Sequence, residues 1–274
     1  MSVLDDIKNM NDFNGSETSG KTICNGKLVR RRVDKWTWIS EYVDEEGNVI
    51  ERFCGSTDYR DGFSLVSKHM LGPYIFIDVD GNVSEEFYSA RAYFDGFAMV
   101  QKDEGGPWQY RDVYGNLSEE FYSASSYFDG YARVQKDEGE LYQFRDAHGN
   151  LSEKFYRAFQ YFDGYARVQK DEGGPWQYRD VYGNLSEGFE CALDYRFGFA
   201  RVRTDEDNVW QDRYRDMQGN VSEAFYGATD YSNGGYARVQ KYKNGRFLYR
   251  DKHGKLFDKI PENHINKQEE TLTM

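Results

Sequence analysis

Several sequence features are scarce in this chain, and each scarcity excludes a class of protein. Only three cysteines occur, Cys24, Cys54 and Cys191, with no CxxC pair, which excludes a disulfide scaffold and a zinc ribbon. No apolar run approaches the roughly 18 residues of a membrane-spanning helix. The first residues lack the basic and apolar regions of a signal peptide. We therefore expect a cytoplasmic location, with export by a route that needs no N-terminal signal as the alternative.

Positive charge is also scarce. The 274 residues include 35 Lys+Arg against 47 Asp+Glu, a formal net charge of −12. So acidic a chain is poorly suited to bind the phosphate backbone, and nucleic acid is not an expected partner. Aromatic residues, in contrast, make up 17% of the chain. Because each aromatic side chain buries about 150–250 Å², these residues can build a packed core, which argues against global disorder.

An internal repeat dominates the sequence. The string YFDGYARVQKDEG occurs at 127–139 and again at 161–173. A glycine preceded by an aspartate three residues earlier recurs seven times, at intervals of 34 to 36 residues: Gly47, Gly81, Gly115, Gly149, Gly183, Gly219 and Gly254. We predict a seven-unit repeat domain over 26–260, with polar N-terminal (1–25) and C-terminal (261–274) segments outside it that are flexible or capping.

Each unit carries the residue pattern of a β-hairpin. Asp at i with Gly at i+3 is typical of a type I turn in which the glycine takes a positive φ. The run Tyr131–Gln135 alternates with period two, so Ala132 and Val134 share one face of a strand. After the turn the pattern is ambiguous, because Leu117 and Phe121 could meet on one helical turn or belong to a short third strand.

One such unit cannot bury its apolar face alone, so neighbouring units must stack. We predict an all-β array of about seven ~34-residue hairpin units in an open solenoid-like stack, with a closed β-propeller as the alternative. The period is shorter than the about 40–45 residues of common propeller blades, which favours the open stack. The positions that are aromatic in every copy, such as Tyr110 and Phe121, are predicted to form the core between neighbours.

Two residue sets are candidates for an interaction surface. The first consists of acidic pairs that we place on the hairpin loops: Asp103, Glu104, Asp137, Glu138, Asp171 and Glu172. If the units stack in register, these carboxylates form an acidic row that could recruit a basic partner. The simpler interpretation is a solvated loop series that keeps the protein soluble and discourages edge-to-edge association.

The second set is aromatic and shares one position of the repeat: Trp108, Tyr142 and Trp176. Exposed Tyr and Trp faces can stack on sugars or hold quaternary ammonium groups, so these rings would suit a polymeric glycan. The same position holds Ser40 and Asp212 in other copies, and packing in the core is the simpler interpretation of the tryptophans.

No catalytic, cofactor or metal site is predicted. Only Asp78–Asn82 has the paired aspartates of a calcium loop, and it does not complete that spacing, so the Asp-x-x-Gly segments are interpreted as turns. Arg-Asp dipeptides such as Arg111-Asp112 are expected to form exposed pairs between units, worth about 0–1 kcal/mol each. Catalysis needs a unique constellation of groups, and near-identical copies favour a protein that is not an enzyme.

The repeat resembles the WG-repeat (KWG-repeat) family of bacterial proteins over about residues 26–260. The resemblance is carried by Gly130-Tyr131-Ala132-Arg133-Val134 and by the segment from Gln143 to Asn150. The Trp-Gly of that family corresponds here to Trp108-Gln109 and Trp176-Gln177, which indicates a divergent member. The resemblance implies a β-rich array that acts as an interaction surface.

Together these features predict a non-enzymatic repeat protein that presents an extended surface to a protein partner of unknown identity. The alternative is a carbohydrate-binding module, lectin-like or cell-wall-binding. A third and weaker possibility is an enzyme whose site lies at the centre of a propeller-like ring.

Overall fold

The computed structural model describes residues 18–19, 22–23, 26–32, 38–43, 47–67, 69, 72–206, 209–232 and 234–260. Segment 261–274 and most of segment 1–25 lie outside the described residues. The described residues contain no helix, and their strands form seven small antiparallel sheets, none of which closes into a barrel. The prediction of an all-β protein with about seven repeated units is confirmed. The choice between an open stack and a closed propeller stays a prediction.

The chain divides into two compact units, and the first is Met1–Glu140. Sheet I contains β1 (Thr18–Ser19), β2 (Thr22–Ile23), β3 (Gly26–Arg32), β4 (Trp38–Val43) and β5 (Val49–Phe53). Sheet II contains β6 (Gly55–Ser56), β7 (Phe63–Ser67) and β8 (Tyr74–Asp78). Sheet III contains β9 (Ser89–Ala90), β10 (Phe97–Gln101) and β11 (Gln109–Asp112). Sheet IV begins with β12 (Ser123–Ala124) and β13 (Tyr131–Gln135).

The second unit, Leu141–Met274, opens with β14 (Gln143–Asp146). Sheet V contains β15 (Arg157–Phe162), β16 (Tyr165–Gln169) and β17 (Trp176–Asp180). Sheet VI contains β18 (Cys191–Ala192), β19 (Phe199–Glu206) and β20 (Val209–Asp216). Sheet VII contains β21 (Gly227–Ala228), β22 (Tyr236–Gln240), β23 (Phe247–Asp251) and β24 (Leu256–Phe257).

The stretch that was ambiguous in sequence supplies extra strands on both edges of the hairpin. A two-residue strand such as Ser123–Ala124 pairs with the first long strand of its sheet. On the other edge, Leu117 forms an isolated bridge with Arg111 of the second long strand, and Phe121 forms one with Trp108, the residue that precedes this strand. The strand alternative is therefore the correct one, and each unit holds more than a two-stranded hairpin.

Core clusters join consecutive sheets, as the shared aromatic positions predicted. One cluster combines Met99, Tyr110 and Phe121 of sheet III with Tyr127, Ala132 and Val134 of sheet IV. The second unit repeats this arrangement, where Tyr178 and Phe189 of sheet V pack with Tyr195 of sheet VI. Each sheet therefore completes its neighbour's core, which is the requirement of a repeat fold.

The Asp-Gly turns, in which the two residues are adjacent as in Asp95-Gly96, precede the first long strand of a repeat and also link consecutive sheets. Asp95 has a φ of 50° and Gly96 a φ of 82°, and Phe94 and Phe97 exchange both backbone hydrogen bonds across them. This is the geometry of a type I′ turn. The Gly96 amide donates to Asp61 Oδ2, and the Gly130 amide donates to Asp95 Oδ2, each at 2.9 Å. Sheets II and III and strands β12 and β13 of sheet IV, all within the first unit, therefore stack in the same orientation.

The expectation that the Arg-Asp dipeptides form exposed ion pairs is wrong, because the arginine is buried. Arg111 is 8% exposed, its Nη1 donates to Tyr93 Oη at 2.5 Å, and its Nε lies 3.7 Å from Glu85 Oε2. Its guanidinium also lies 5.7 Å from the centroid of the Phe76 ring in the preceding sheet. Arginine tolerates this position because its planar group lies against rings, its Nη1 donates to a phenol and its charge lies close to a carboxylate.

Candidate functional site

The acidic residues predicted to be functional lie on exposed hairpin loops, as the sequence indicated. The loop between β10 and β11 holds Asp103 and Glu104, and the Gly106 amide donates to the Asp103 carbonyl at 3.1 Å. Gly105 has a φ of 67°, a conformation that glycine adopts without strain. The loop between β16 and β17 closes in the same way, with the Gly174 amide donating to the Asp171 carbonyl at 3.1 Å.

A glutamine at the end of the preceding strand clamps each of these loops. Gln101 Nε2 donates to the Gly106 carbonyl at 2.6 Å. The equivalent bond in sheet V runs from Gln169 Nε2 to the Gly174 carbonyl at 2.5 Å. A loop held at both ends loses little conformational entropy on binding, so the backbone that carries the carboxylates has a defined conformation before any partner binds.

In three repeats a tyrosine that follows the buried phenylalanine pairs with the glutamate of the loop. The pairs share one arrangement: Tyr88 with Glu104, Tyr122 with Glu138, and Tyr156 with Glu172. Tyr156 Oη lies 2.7 Å from Glu172 Oε1. This hydrogen bond, with smaller contributions from burial and from the carboxylate charge, raises the pKa of Tyr156. The phenol therefore stays protonated and orients the carboxylate.

Two acidic loops of the first unit lie at the same end of adjacent sheets. Because equivalent Asp-Gly turns of sheets III and IV are in contact through Asp95 and Gly130, their long strands run in the same sense. The loops that carry Asp103-Glu104 and Asp137-Glu138 are therefore both at the end opposite these turns, which we call the loop end. An acidic row along the whole array stays a prediction.

The predicted aromatic residues stand where the second long strand of their sheet begins, and Trp108 therefore lies at the loop end of sheet III. Trp108 and Phe121 exchange backbone hydrogen bonds of 2.8 and 2.9 Å, and the Trp108 ring packs, partly buried, against a core cluster. Trp176 is placed equivalently in sheet V. Its ring faces the Arg167 guanidinium at 4.9 Å from the ring centroid, so one face of this indole is already occupied.

The Asp-x-x-Gly segments form turns, and the aspartate organises each turn. Asp112 Oδ1 accepts hydrogen bonds from the amides of Tyr114 and Asn116, and Asp112 Oδ2 accepts one from the Asn116 side chain. Gly115 has a φ of 90°, as the sequence predicted. Both carboxylate oxygens thus serve the turn, and the described residues contain no group of three or more potential metal ligands.

The roles of the loop-clamping glutamines and of the tyrosines that orient the loop glutamates were not predicted from the sequence. The available signal was the recurrence of Gln101, Gln135 and Gln169 at one position of the repeat.

The part of the chain that the structure describes has no helix long and apolar enough to cross a bilayer.

No protein-family model matches this sequence, and no curated protein is similar to it. Among solved structures, virginiamycin B lyase from Staphylococcus aureus is 10% identical with a TM-score of 0.33, covering 76% of this chain and 84% of that chain. YCF48 bound to D1 peptide is 13% identical with a TM-score of 0.31, covering 84% of this chain and 95% of that chain. A functionally unknown protein from Desulfotomaculum acetoxidans is 12% identical with a TM-score of 0.29, covering 77% of this chain and 85% of that chain. Similarity at this level implies nothing about the activity or the ligands of this chain.

Proposed function

We propose that this protein is a non-enzymatic repeat scaffold whose acidic loops bind a basic segment of a protein partner. One observation carries the proposal: in the first unit, Gln101 Nε2 holds the Gly106 carbonyl and Gln135 Nε2 holds the Glu140 carbonyl, and the two loops so closed present Asp-Glu pairs at the same end of adjacent sheets. A single exposed ion pair contributes only about 0–1 kcal/mol. Several carboxylates at one end of the sheets add their contributions to the binding free energy. They also accelerate encounter with a positively charged partner.

A basic peptide tests this proposal directly. A fluorescent peptide of alternating lysine and glycine is titrated with the protein, and its anisotropy is measured at low and high salt. We expect saturable binding that weakens as salt rises, because exposed charges are screened within a Debye length of about 8 Å at physiological ionic strength. The quadruple variant Asp103→Lys, Glu104→Lys, Asp137→Lys, Glu138→Lys is expected to lose binding at least tenfold.

A charge-matched control separates the loops from net charge. Asp58 and Asp80 are exposed residues at the opposite end of sheet II, and the variant Asp58→Lys, Asp80→Lys is compared with Asp103→Lys, Glu104→Lys. Equal losses of binding in the two double variants would show that net charge alone attracts the peptide. Undiminished binding by the quadruple variant would contradict the acidic-loop proposal.

A carbohydrate-binding function remains the second candidate, because three rings at one position of the repeat are half-buried rather than enclosed: Trp108, Tyr142 and Trp176. The Arg167 stacking described above leaves Trp176 the less available of the two indoles. A glycan array reads this function directly. Binding that disappears in Trp108→Ala with an unchanged circular dichroism spectrum supports it, and an array without signal removes it.

A further inference from the structure

Sheet VII has the opposite charge to the rest of the chain. Residues 234–260 contain eight Lys and Arg and only two Asp, a formal charge of +6 in a chain whose net charge is −12. The eight cationic residues are Arg238, Lys241, Lys243, Arg246, Arg250, Lys252, Lys255 and Lys259. Arg250 is buried, at 7% exposed, and Arg246 Nη1 lies 2.9 Å from Asp258 Oδ1. Arg238, Lys241 and Lys243 are exposed, so the hairpin of this sheet presents a local excess of positive charge.

The hairpin loop of sheet VII has the backbone hydrogen bonds of the acidic loops, but a tyrosine and a lysine replace the two acidic residues. The Gly245 amide donates to the Tyr242 carbonyl at 2.9 Å, and Gln240 Nε2 clamps the Gly245 carbonyl at 2.7 Å. Tyr242 and Lys243 therefore stand where Asp and Glu stand in sheets III to V. Asn244, with a φ of 59°, takes the place of the loop glycine.

Exposed rings accompany the cations in this sheet. Tyr242 is 69% exposed and Phe247 is 46% exposed. Arg238 lies with its guanidinium 4.6 Å from the Phe247 ring centroid and is itself exposed. Tyr and Arg are enriched among the residues that dominate binding energy at protein interfaces.

The arginines equivalent to Arg238 in sheets V and VI make contacts that define what this position recognises. Arg167 lies with its Nε 3.3 Å from Asp194 Oδ1 in the following sheet. The Arg201 Nε likewise lies 3.0 Å from Asp230 Oδ1. In both sheets this arginine pairs with a carboxylate of the following sheet, whereas Arg238 in sheet VII is exposed.

We propose that this basic surface, formed by Arg238, Lys241, Tyr242, Lys243 and Phe247, binds the acidic loop Asp171-Glu172 of a second copy of the chain. Charge complementarity selects the acidic loop, and both loops are clamped into shape before they meet. Both also belong to the second unit, so a twofold dimer forms the contact twice. The proposal goes beyond the proposed function and uses a loop that the peptide experiment leaves unchanged.

Sedimentation equilibrium at two salt concentrations tests the dimer. Between about 0.01 M and about 1 M salt the Debye length falls from about 30 Å to about 3 Å. We expect a dimer at low salt and a monomer at high salt. At low salt, Lys241→Glu with Lys243→Glu is expected to raise the dissociation constant at least tenfold, and Asp171→Lys with Glu172→Lys is expected to do the same.

Mixing the two variants gives the decisive result. Each variant alone places like charges across the contact, whereas a heterodimer of the two restores opposite charges at both contacts. We expect the mixture to associate with a dissociation constant close to that of the unmodified protein. The control variant Lys136→Glu, Lys154→Glu changes net charge equally and is expected to dimerise nearly as well as the unmodified protein.

Three results of sedimentation equilibrium would overturn the proposal: a monomer at every protein and salt concentration, association that neither double variant weakens, and a mixture that stays monomeric. A fluorescent oligothymidine that binds the monomeric protein through Lys241 and Lys243 would assign the surface to an anionic polymer instead. Because Asp103, Glu104, Asp137 and Glu138 are unchanged throughout, these outcomes are independent of the peptide-binding test.

Discussion

The buried arginines show how a single charged side chain can join two sheets. Arg179 is 8% exposed, and its Nη1 donates to Tyr161 Oη at 2.5 Å. Its Nε lies 3.5 Å from Glu153 Oε1, a residue of the preceding repeat. The Phe144 ring lies beneath the guanidinium, with 5.7 Å between the charged carbon and the ring centroid. One arginine thus fixes a phenol, a carboxylate and a ring together.

Replacing Arg179 with alanine is expected to lower the free energy of unfolding by about 2 kcal/mol, because it leaves Tyr161 Oη without its donor and opens a gap beside Phe144. Arg179→Lys is expected to recover less than half of this loss. The lysine ammonium is not planar, so it cannot lie flat on the Phe144 ring and donate to Tyr161 Oη at the same time. Urea unfolding measures both. The exposed Arg196→Ala is the control, expected within about 0.5 kcal/mol of the unmodified protein.

The turn aspartates predict how stability depends on pH. Desolvation acts to raise the pKa of Asp112, but hydrogen bonds from Asn116 and from backbone amides outweigh it, and the pKa is lowered. Asp180 behaves in the same way. A carboxyl whose pKa is lower in the folded state stabilises the fold above its unfolded pKa of about 3.9, and this contribution is lost as pH falls through the folded value.

The free energy of unfolding is therefore expected to fall steeply below about pH 4. The variant Asp112→Asn, Asp180→Asn is expected to be less stable at neutral pH and to lose less stability on acidification. Urea unfolding at neutral pH and at about pH 3 measures the difference. Asp137→Asn with Asp171→Asn, which changes charge equally on the exposed hairpin loops, is the control. Identical pH profiles for the turn variant and the unmodified protein would contradict the assignment.

At the scale of elements, the Asp-Gly turns align one sheet with the next. The side chain of Asp95 accepts the Gly130 amide, and the same residue holds a φ of 50° in its own turn. Asp163 and Gly198 repeat this contact at 2.9 Å in the second unit. Because the bond joins equivalent turns, it penalises any shift of one sheet along the other.

Asp95→Ala is expected to cost about 2 kcal/mol, from the lost hydrogen bond and from the strain of a positive φ. Asp95→Asn keeps an acceptor and tolerates this φ, so its cost is expected to stay below about 0.5 kcal/mol. Asp95→Gly removes the bond without the strain and separates the two effects. Thermal unfolding of the three variants measures them, and equal midpoints would show that the contact adds no stability.

At the scale of the whole molecule, stability is shared between neighbouring sheets. Tyr110 and Phe121 of sheet III are buried against Tyr127 and Val134 of sheet IV. The Phe97 and Tyr127 rings also stack across the same junction, with their centroids 4.4 Å apart. A sheet separated from its neighbour would expose these rings, so folding must be cooperative over more than one repeat.

The isolated segment 89–121, which covers sheet III and its bridging strand, is therefore expected to be unfolded in solution. Far-ultraviolet circular dichroism is expected to show no β-sheet band and no cooperative thermal transition. The full chain under the same conditions provides the folded reference. A cooperative transition in the isolated segment would show that a single unit folds alone.

Much of the repeat was predictable because its determinants are local. The Asp112 to Gly115 turn follows from backbone preferences, and the burial of Ala132 and Val134 follows from period two. The two-residue strands were not predictable, since two residues carry no periodicity. Burial of Arg111 was not predictable either, because its acceptor Tyr93 Oη, its counter-ion Glu85 and its stacking ring Phe76 lie in the preceding repeat.

The candidate site was likewise predictable only in part. Its acidic residues and their place on hairpin loops were visible in the sequence, since Asp, Glu and Gly between alternating strands indicate an exposed turn. The glutamine clamp and the pairing of Tyr156 with Glu172 depend on side chains brought together across a sheet. The basic composition of sheet VII can be counted in the sequence, whereas its loop is recognised as a counterpart of the acidic loops only from their common hydrogen bonds.

The sequence by itself determined the number of repeats, their β-structure, their turns and the aromatic residues of their core, because these depend on neighbours within a few residues. Only the tertiary structure decided how consecutive sheets are joined and which charged groups are buried. Those outcomes depend on whether a distant side chain supplies the acceptor or ring that offsets the cost of removing a charge from water.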